Sequence, residues 1–100
     1  MADKPYILLV DDDPNIRRLV QLYLEKEGFR VVCADRGDDA LNIFRKEPPD
    51  LMLLDVMLPG MDGWSVLKSV RKTSAIPIIM LTAMSMWDSS LTASFMRHLP

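Results

Sequence analysis

Tyr6-Ile7-Leu8-Leu9-Val10-Asp11-Asp12-Asp13-Pro14 is the stretch on which the fold turns. Five apolar residues run without a polar alternate, which is the pattern of a strand covered on both faces. Three carboxylates stop the run, and Pro14 follows where a helix tolerates a missing N–H at its first position. Asp13 is placed to cap that helix, because its short side chain reaches the first free amides. Ile16, Leu19, Val20, Tyr23 and Leu24 then fall at helical spacing, and Gly28 suits the left-handed residue that ends a helix.

The same unit recurs about every 25 residues. Val31-Val32-Cys33-Ala34, Leu51-Met52-Leu53-Leu54 and Ile76-Pro77-Ile78-Ile79-Met80-Leu81 are further apolar runs. Between them, one helix is predicted from about Gly37 to Lys46, burying Ala40, Leu41 and Phe44 and stopped by Pro48-Pro49. Another is predicted from near Gly63 to before Thr73, burying Val66, Leu67 and Val70. The order βαβαβαβ specifies an α/β fold, a doubly wound parallel sheet with right-handed crossovers.

One hundred residues make one small domain and exclude a two-domain enzyme. The net charge of −2 and the lack of a basic stripe argue against direct nucleic-acid binding. A single cysteine cannot form an intrachain disulfide, and no apolar run approaches the ~20 residues that cross a bilayer. A cytoplasmic location without membrane contact is the expectation. Cys33 reads as a core residue, and His98 as a surface one.

Ligands of open parallel sheets bind beyond the carboxyl ends of the strands. Those ends carry Asp11-Asp12-Asp13, Asp55 and Thr82-Ala83. Two carboxylates about 5 Å apart repel by roughly 3 kcal/mol at an effective dielectric near 20. Either a proton is retained or a cation sits among them. An all-oxygen donor set suits Mg²⁺, and a carboxylate beside such an ion is a competent nucleophile toward phosphorus. The plainer reading is helix capping. It accounts for Asp13, but not for Asp11 and Asp12 together, nor for Asp55, which precedes the loop of residues 56–62.

Ile7-Leu8-Leu9-Val10-Asp11-Asp12-Asp13-Pro14, Leu53-Leu54-Asp55-Val56-Met57-Leu58-Pro59-Gly60-Met61-Asp62-Gly63 and Pro77-Ile78-Ile79-Met80-Leu81-Thr82-Ala83 are three distinctive segments. Together they resemble the receiver domain of two-component response regulators. The resemblance implies a flavodoxin-like fold with strand order 2-1-3-4. It implies that Asp55 is the phosphoacceptor, served by a phosphohistidine of a sensor histidine kinase. Mg²⁺ would be held by Asp12 and Asp55, by Asp11 through water, and by the backbone carbonyl of Met57. Pro59, Gly60 and Gly63 would shape the loop, Thr82 would be the switch hydroxyl, and Ala83 would leave the phosphoryl group access. Activity would extend at most to self-phosphorylation and autodephosphorylation at Asp55.

Past Ala83 the pattern changes. Residues 84–100 hold two charged side chains, against 24 in residues 1–83, and no Lys follows Lys72. The expectation is a partial receiver over residues 1–83, lacking the family's fifth strand, fifth helix and Lys, with a non-family tail over 84–100. Met84, Trp87, Leu91 and Phe95 could form a helical stripe in that tail. An apolar fourth strand at the sheet edge predicts self-association, as a dimer or larger, by edge pairing or tail exchange, and the lost elements predict impaired relay. The competing class is a non-phosphorylated dimerisation module built on the same body. A haloacid-dehalogenase-type phosphatase is set aside, because position 57, where its acid would stand, is Met.

Overall fold

The computed structural model describes residues 4–81. Seven elements alternate: β1 (Tyr6–Val10), α1 (Pro14–Lys26), β2 (Arg30–Ala34), α2 (Gly37–Lys46), β3 (Leu51–Asp55), α3 (Gly63–Arg71) and β4 (Ile78–Leu81). All strand pairs are parallel, as the sequence pattern predicts, and the order is β2-β1-β3-β4, as the resemblance implies. Thr82, Ala83 and the expected tail helix with Trp87, Leu91 and Phe95 lie outside the described residues. No helix among the described residues is long and apolar enough to cross a membrane.

The uninterrupted apolar strands divide their side chains between two cores. Ile7, Leu9, Leu51 and Leu53 pack with Ile16, Val20 and Leu24 of α1. Leu8, Val10, Met52 and Leu54 point the other way, onto Ala40, Leu41 and Phe44 of α2 and Val66 and Val70 of α3. Every residue of β1 and β3 is buried. The outer strands are only partly covered. β4 begins two residues later than the apolar run does. Pro77 has no N–H to give, but its carbonyl accepts from Met52 at 3.0 Å and leads the chain into register.

Helix α1 starts as its sequence predicts: Asp13 Oδ1 accepts from the amides of Asn15 (2.8 Å) and Ile16 (3.3 Å), with Pro14 at the first position. Removing that carboxylate by Asp13→Ala is expected to cost about 1 kcal/mol in denaturant unfolding. The helix closes at Glu27, and Gly28 follows with φ +95°. Its buried stripe is narrower than expected. Leu19 and Tyr23 stand 46% and 44% exposed, and with Leu22 they form an apolar outer face. Only positions four apart, Ile16, Val20 and Leu24, meet the sheet squarely. Leu67 of α3 is likewise only partly buried, at the margin of its core.

Cys33 also departs from expectation. It is half-buried rather than fully enclosed, and its thiol donates to Gln21 Oε1 at 3.4 Å. Burial raises its pKa, so it stays a protonated thiol, as an unreactive packing residue should.

Candidate metal and phosphoryl site

Strand register builds the site. β1 and β3 are adjacent and parallel, with Val10 level with Leu54, so Asp11 and Asp55 emerge side by side at the same sheet edge. Carboxylate oxygens of Asp11, Asp12 and Asp55 lie within 4.8 Å of one another. The sequence nominates these three residues, and the fold brings them together. Asp55 also pairs with Leu81, the last described residue of β4.

The three acids sit in different surroundings. Asp11 is 3% exposed and Asp55 6%, whereas Asp12 is exposed. Burial raises the Asp11 pKa to about 6, and the charges of Asp55, Asp12 and Asp13 push it the same way. The Asp13 amide, donating to Asp11 Oδ1 at 2.9 Å, opposes the rise. Burial raises the Asp55 pKa as well, reinforced by the charge of Asp12 and opposed by the backbone amides of Met57 and Val56. Met57 N donates to Asp55 Oδ1 at 3.3 Å. Folding therefore holds ionised carboxylates against both desolvation and mutual repulsion, and a cation among them relieves both.

That donor set fits a small hard divalent cation. Mg²⁺ takes oxygen ligands at about 2.0–2.1 Å in an octahedron, so neighbouring ligand oxygens stand about 3 Å apart and opposite ones about 4 Å. Three carboxylates from two strand ends approach this spacing and leave positions for water or a phosphoryl oxygen.

The loop after Asp55 is held by its own backbone. Val56 N donates to Leu81 O at 3.1 Å, Gly63 N to Val56 O at 2.9 Å, and Met61 N to Pro59 O at 3.0 Å. Gly60 turns the chain with φ +79°, a region costly for residues with a Cβ. At Gly63 the reason for glycine is space: a Cβ there would run into the Asp55 carbonyl and come within 3.0 Å of Val56 Cα. Asp62 then caps α3 by accepting from Ser65 N at 2.8 Å. Of the two loop methionines, Met61 packs on the core, whereas Met57 is 76% exposed beside Asp55. Trp64 is half-exposed on the first turn of α3.

Two arginines escaped the sequence reading. Arg17 is one, and its Nη1 donates to the Asp11 carbonyl at 2.9 Å. Helical side chains lean toward the N-terminus, so a long residue one turn into α1 reaches back to the strand end. That geometric rule was the available signal. Arg36, from the β2–α2 junction, lies against Gly60. No spacing rule connects two loops from different crossovers. A cleft of about 430 Å³ beside β2 is walled by Arg17, Asp35, Asp39 and Asn42, and the three clustered acids are not in its wall.

Comparison with known proteins agrees with this geometry. The response regulator receiver domain family matches residues 7–96. Transcriptional regulatory protein AfsQ1 of Streptomyces coelicolor is 48% identical over 79 residues, 79% of this chain and 35% of the relative. The probable transcriptional regulator ycf27 of Porphyra purpurea is 51% identical over 81 residues, 81% of this chain and 33% of the relative. The chain thus spans about a third of the length of these curated relatives. Among solved structures, response regulator TrrA of Thermotoga maritima with Mg²⁺-BeF is 40% identical, with a TM-score of 0.76 over 90% of this chain and 79% of that one. The complex of histidine kinase ThkA with TrrA matches at 38% identity and a TM-score of 0.75, over 90% of this chain and 78% of that one. Fold, paired strand-end acids and matched relatives converge, and this chain belongs to the response regulator receiver domain family.

Proposed function

We propose that the chain is a phosphoacceptor: Asp55 takes a phosphoryl group from a phosphohistidine of a sensor histidine kinase, with Mg²⁺ in the acidic cluster. The observation that carries this reading is the convergence of Asp11, Asp12 and Asp55 within 4.8 Å at the carboxyl edge of the sheet. The Mg²⁺-BeF complex of TrrA and the ThkA–TrrA complex support it from related proteins.

Asp12 and Asp55 would hold Mg²⁺ through carboxylate oxygens, with Asp11 acting through water and the Met57 carbonyl as a further ligand, and the ion would neutralise charge on the carboxylates and on the incoming phosphoryl oxygens. Asp55 carries the covalent step. One of its carboxylate oxygens forms a bond to phosphorus as the bond from phosphorus to the imidazole nitrogen of the donor breaks, and the electron pair leaves with the imidazole. The Met57 amide on Asp55 Oδ1 orients the carboxylate. Pro59, Gly60 and Gly63 keep the loop clear of the attacking oxygen. Thr82 and Ala83, next in sequence after β4, are assigned the switch hydroxyl and the small residue that leaves access.

The test is Mg²⁺-dependent incorporation of phosphate from a small acyl-phosphate donor such as acetyl phosphate, followed by intact mass. Stoichiometric labelling that requires Mg²⁺ and disappears in Asp55→Asn is expected. A chain that takes no label while retaining its fold would overturn the reading and leave the dimerisation module.

A further inference from the structure

Position 36 is the N-cap of α2, where Ser, Thr, Asp or Asn would bond the first free amides. Arg36 occupies it and makes no side-chain capping bond. Its backbone is extended, and its carbonyl accepts from Ala40 N at 3.0 Å, so the base of the side chain is fixed by the helix start. The guanidinium reaches across to Gly60 of the β3–α3 loop. A Cβ added to Gly60 would stand 2.5 Å from Arg36 Nη2 and 3.3 Å from Cζ.

Asp38 sets the plane of that guanidinium, with Nε to Oδ1 at 3.1 Å and Nη2 to Oδ2 at 3.5 Å. The next residue repeats the contact between the two loops. Gly37 closes on the Met61 carbonyl, and a Cβ there would lie 2.9 Å from Val66 Cγ2. Two successive residues of the β2–α2 junction therefore meet two successive residues of the loop that leaves Asp55.

We propose that Arg36 is a positioning residue: with the Nη2 end of its guanidinium against Gly60 it holds the left-handed turn of the β3–α3 loop, and through that turn the path of Met57 beside Asp55. The role needs this guanidinium and this glycine together. A side chain at position 60 would occupy the guanidinium's place, and without Arg36 the turn loses the group that stands nearest to Gly60. The effect on Mg²⁺ rests on the phosphoacceptor reading, whereas the effect on the loop does not.

The experiment pairs Arg36→Ala with Arg36→Ser, because serine supplies the missing capping hydroxyl and keeps α2 from weakening. Amide hydrogen exchange in the metal-free protein is expected to rise five- to tenfold at Met57 and Met61 in both variants, and to stay unchanged in α2 of Arg36→Ser. In acetyl phosphate labelling, the Mg²⁺ concentration at half-maximal rate is expected to rise at least threefold, with the rate at saturating Mg²⁺ within twofold of the unsubstituted chain. Unchanged exchange at Met57 and Met61 would overturn the positioning role. So would loop exchange that rises only in step with α2. Failure of the unsubstituted chain to label would instead sink the phosphoacceptor reading and leave the exchange result standing for or against Arg36.

Discussion

Asp11→Asn is expected to stabilise the metal-free protein by about 2 kcal/mol at pH 7.5 and to weaken Mg²⁺ binding at least tenfold. Asp11 is almost fully buried, and its pKa rises from 3.8 to about 6. A raised carboxyl pKa means the folded state binds its proton more tightly than the unfolded chain. The contribution of Asp11 to the stability of the metal-free protein is then greatest below pH 4, falls as pH rises through the window between about 4 and 6, and levels off above it. Asp55, also raised, adds to the same slope. Two units correspond to nearly 3 kcal/mol, and water reaching the sheet edge reduces that to about 2. Asparagine removes the buried charge and keeps an oxygen for the Asp13 amide. Thermal melts at pH 5 and 7.5, with and without Mg²⁺, check this. The unsubstituted protein should lose stability between the two pH values without metal and recover it with Mg²⁺ through preferential binding to the folded state. Asp11→Asn should show neither response at full size, and a variant no more stable than its parent at pH 7.5 would refute the account.

Gly63→Ala is expected to cost about 3 kcal/mol, lowering Tm by roughly 15 °C, and to reduce Mg²⁺ affinity tenfold. The added methyl meets backbone on two sides, the Asp55 carbonyl and Val56 Cα, and neither can rotate away as a side chain could. Gly63 N is bonded to Val56 O at 2.9 Å, so the helix cannot slide outward without losing that bond. Relief has to come from β3, which displaces Asp55 itself. Gly28→Ala is the comparison. Gly28 has φ +95° and no atom within 4 Å of an added Cβ, so that change carries only the left-handed backbone cost of about 1–2 kcal/mol and leaves Mg²⁺ binding alone. Equal losses in the two variants would show that the close approach to Asp55 has no consequence.

Most of the site was legible because it depends on where strands stop. A parallel sheet aligns its carboxyl ends, so Asp11, Asp12 and Asp55 could be gathered from three positions in the sequence once β1 and β3 were taken as neighbours. Asp13 could be separated from them by the Pro14 that follows it. The division of labour between Met57 and Met61 was not legible. Both are loop methionines four residues apart, and which one turns inward depends on the Gly60 turn and on the Val66 surface beneath it. Leu19 and Tyr23 misled for a related reason. Helical spacing names a face, but the width of the stripe that is covered depends on how squarely the helix meets the sheet.

The amino-acid order by itself determined the elements, their parallel arrangement and the acidic edge, because these follow from local periodicity, chain stops and the handedness of crossovers. Only the tertiary structure decided that Asp11 is buried while Asp12 is exposed, that Gly63 presses on the Asp55 carbonyl, and that Arg36 lies on Gly60. Those facts are distances between segments far apart in the chain. No local pattern encodes such a distance, since it is set by the packing of α2 and α3 on one face of the sheet and of α1 on the other.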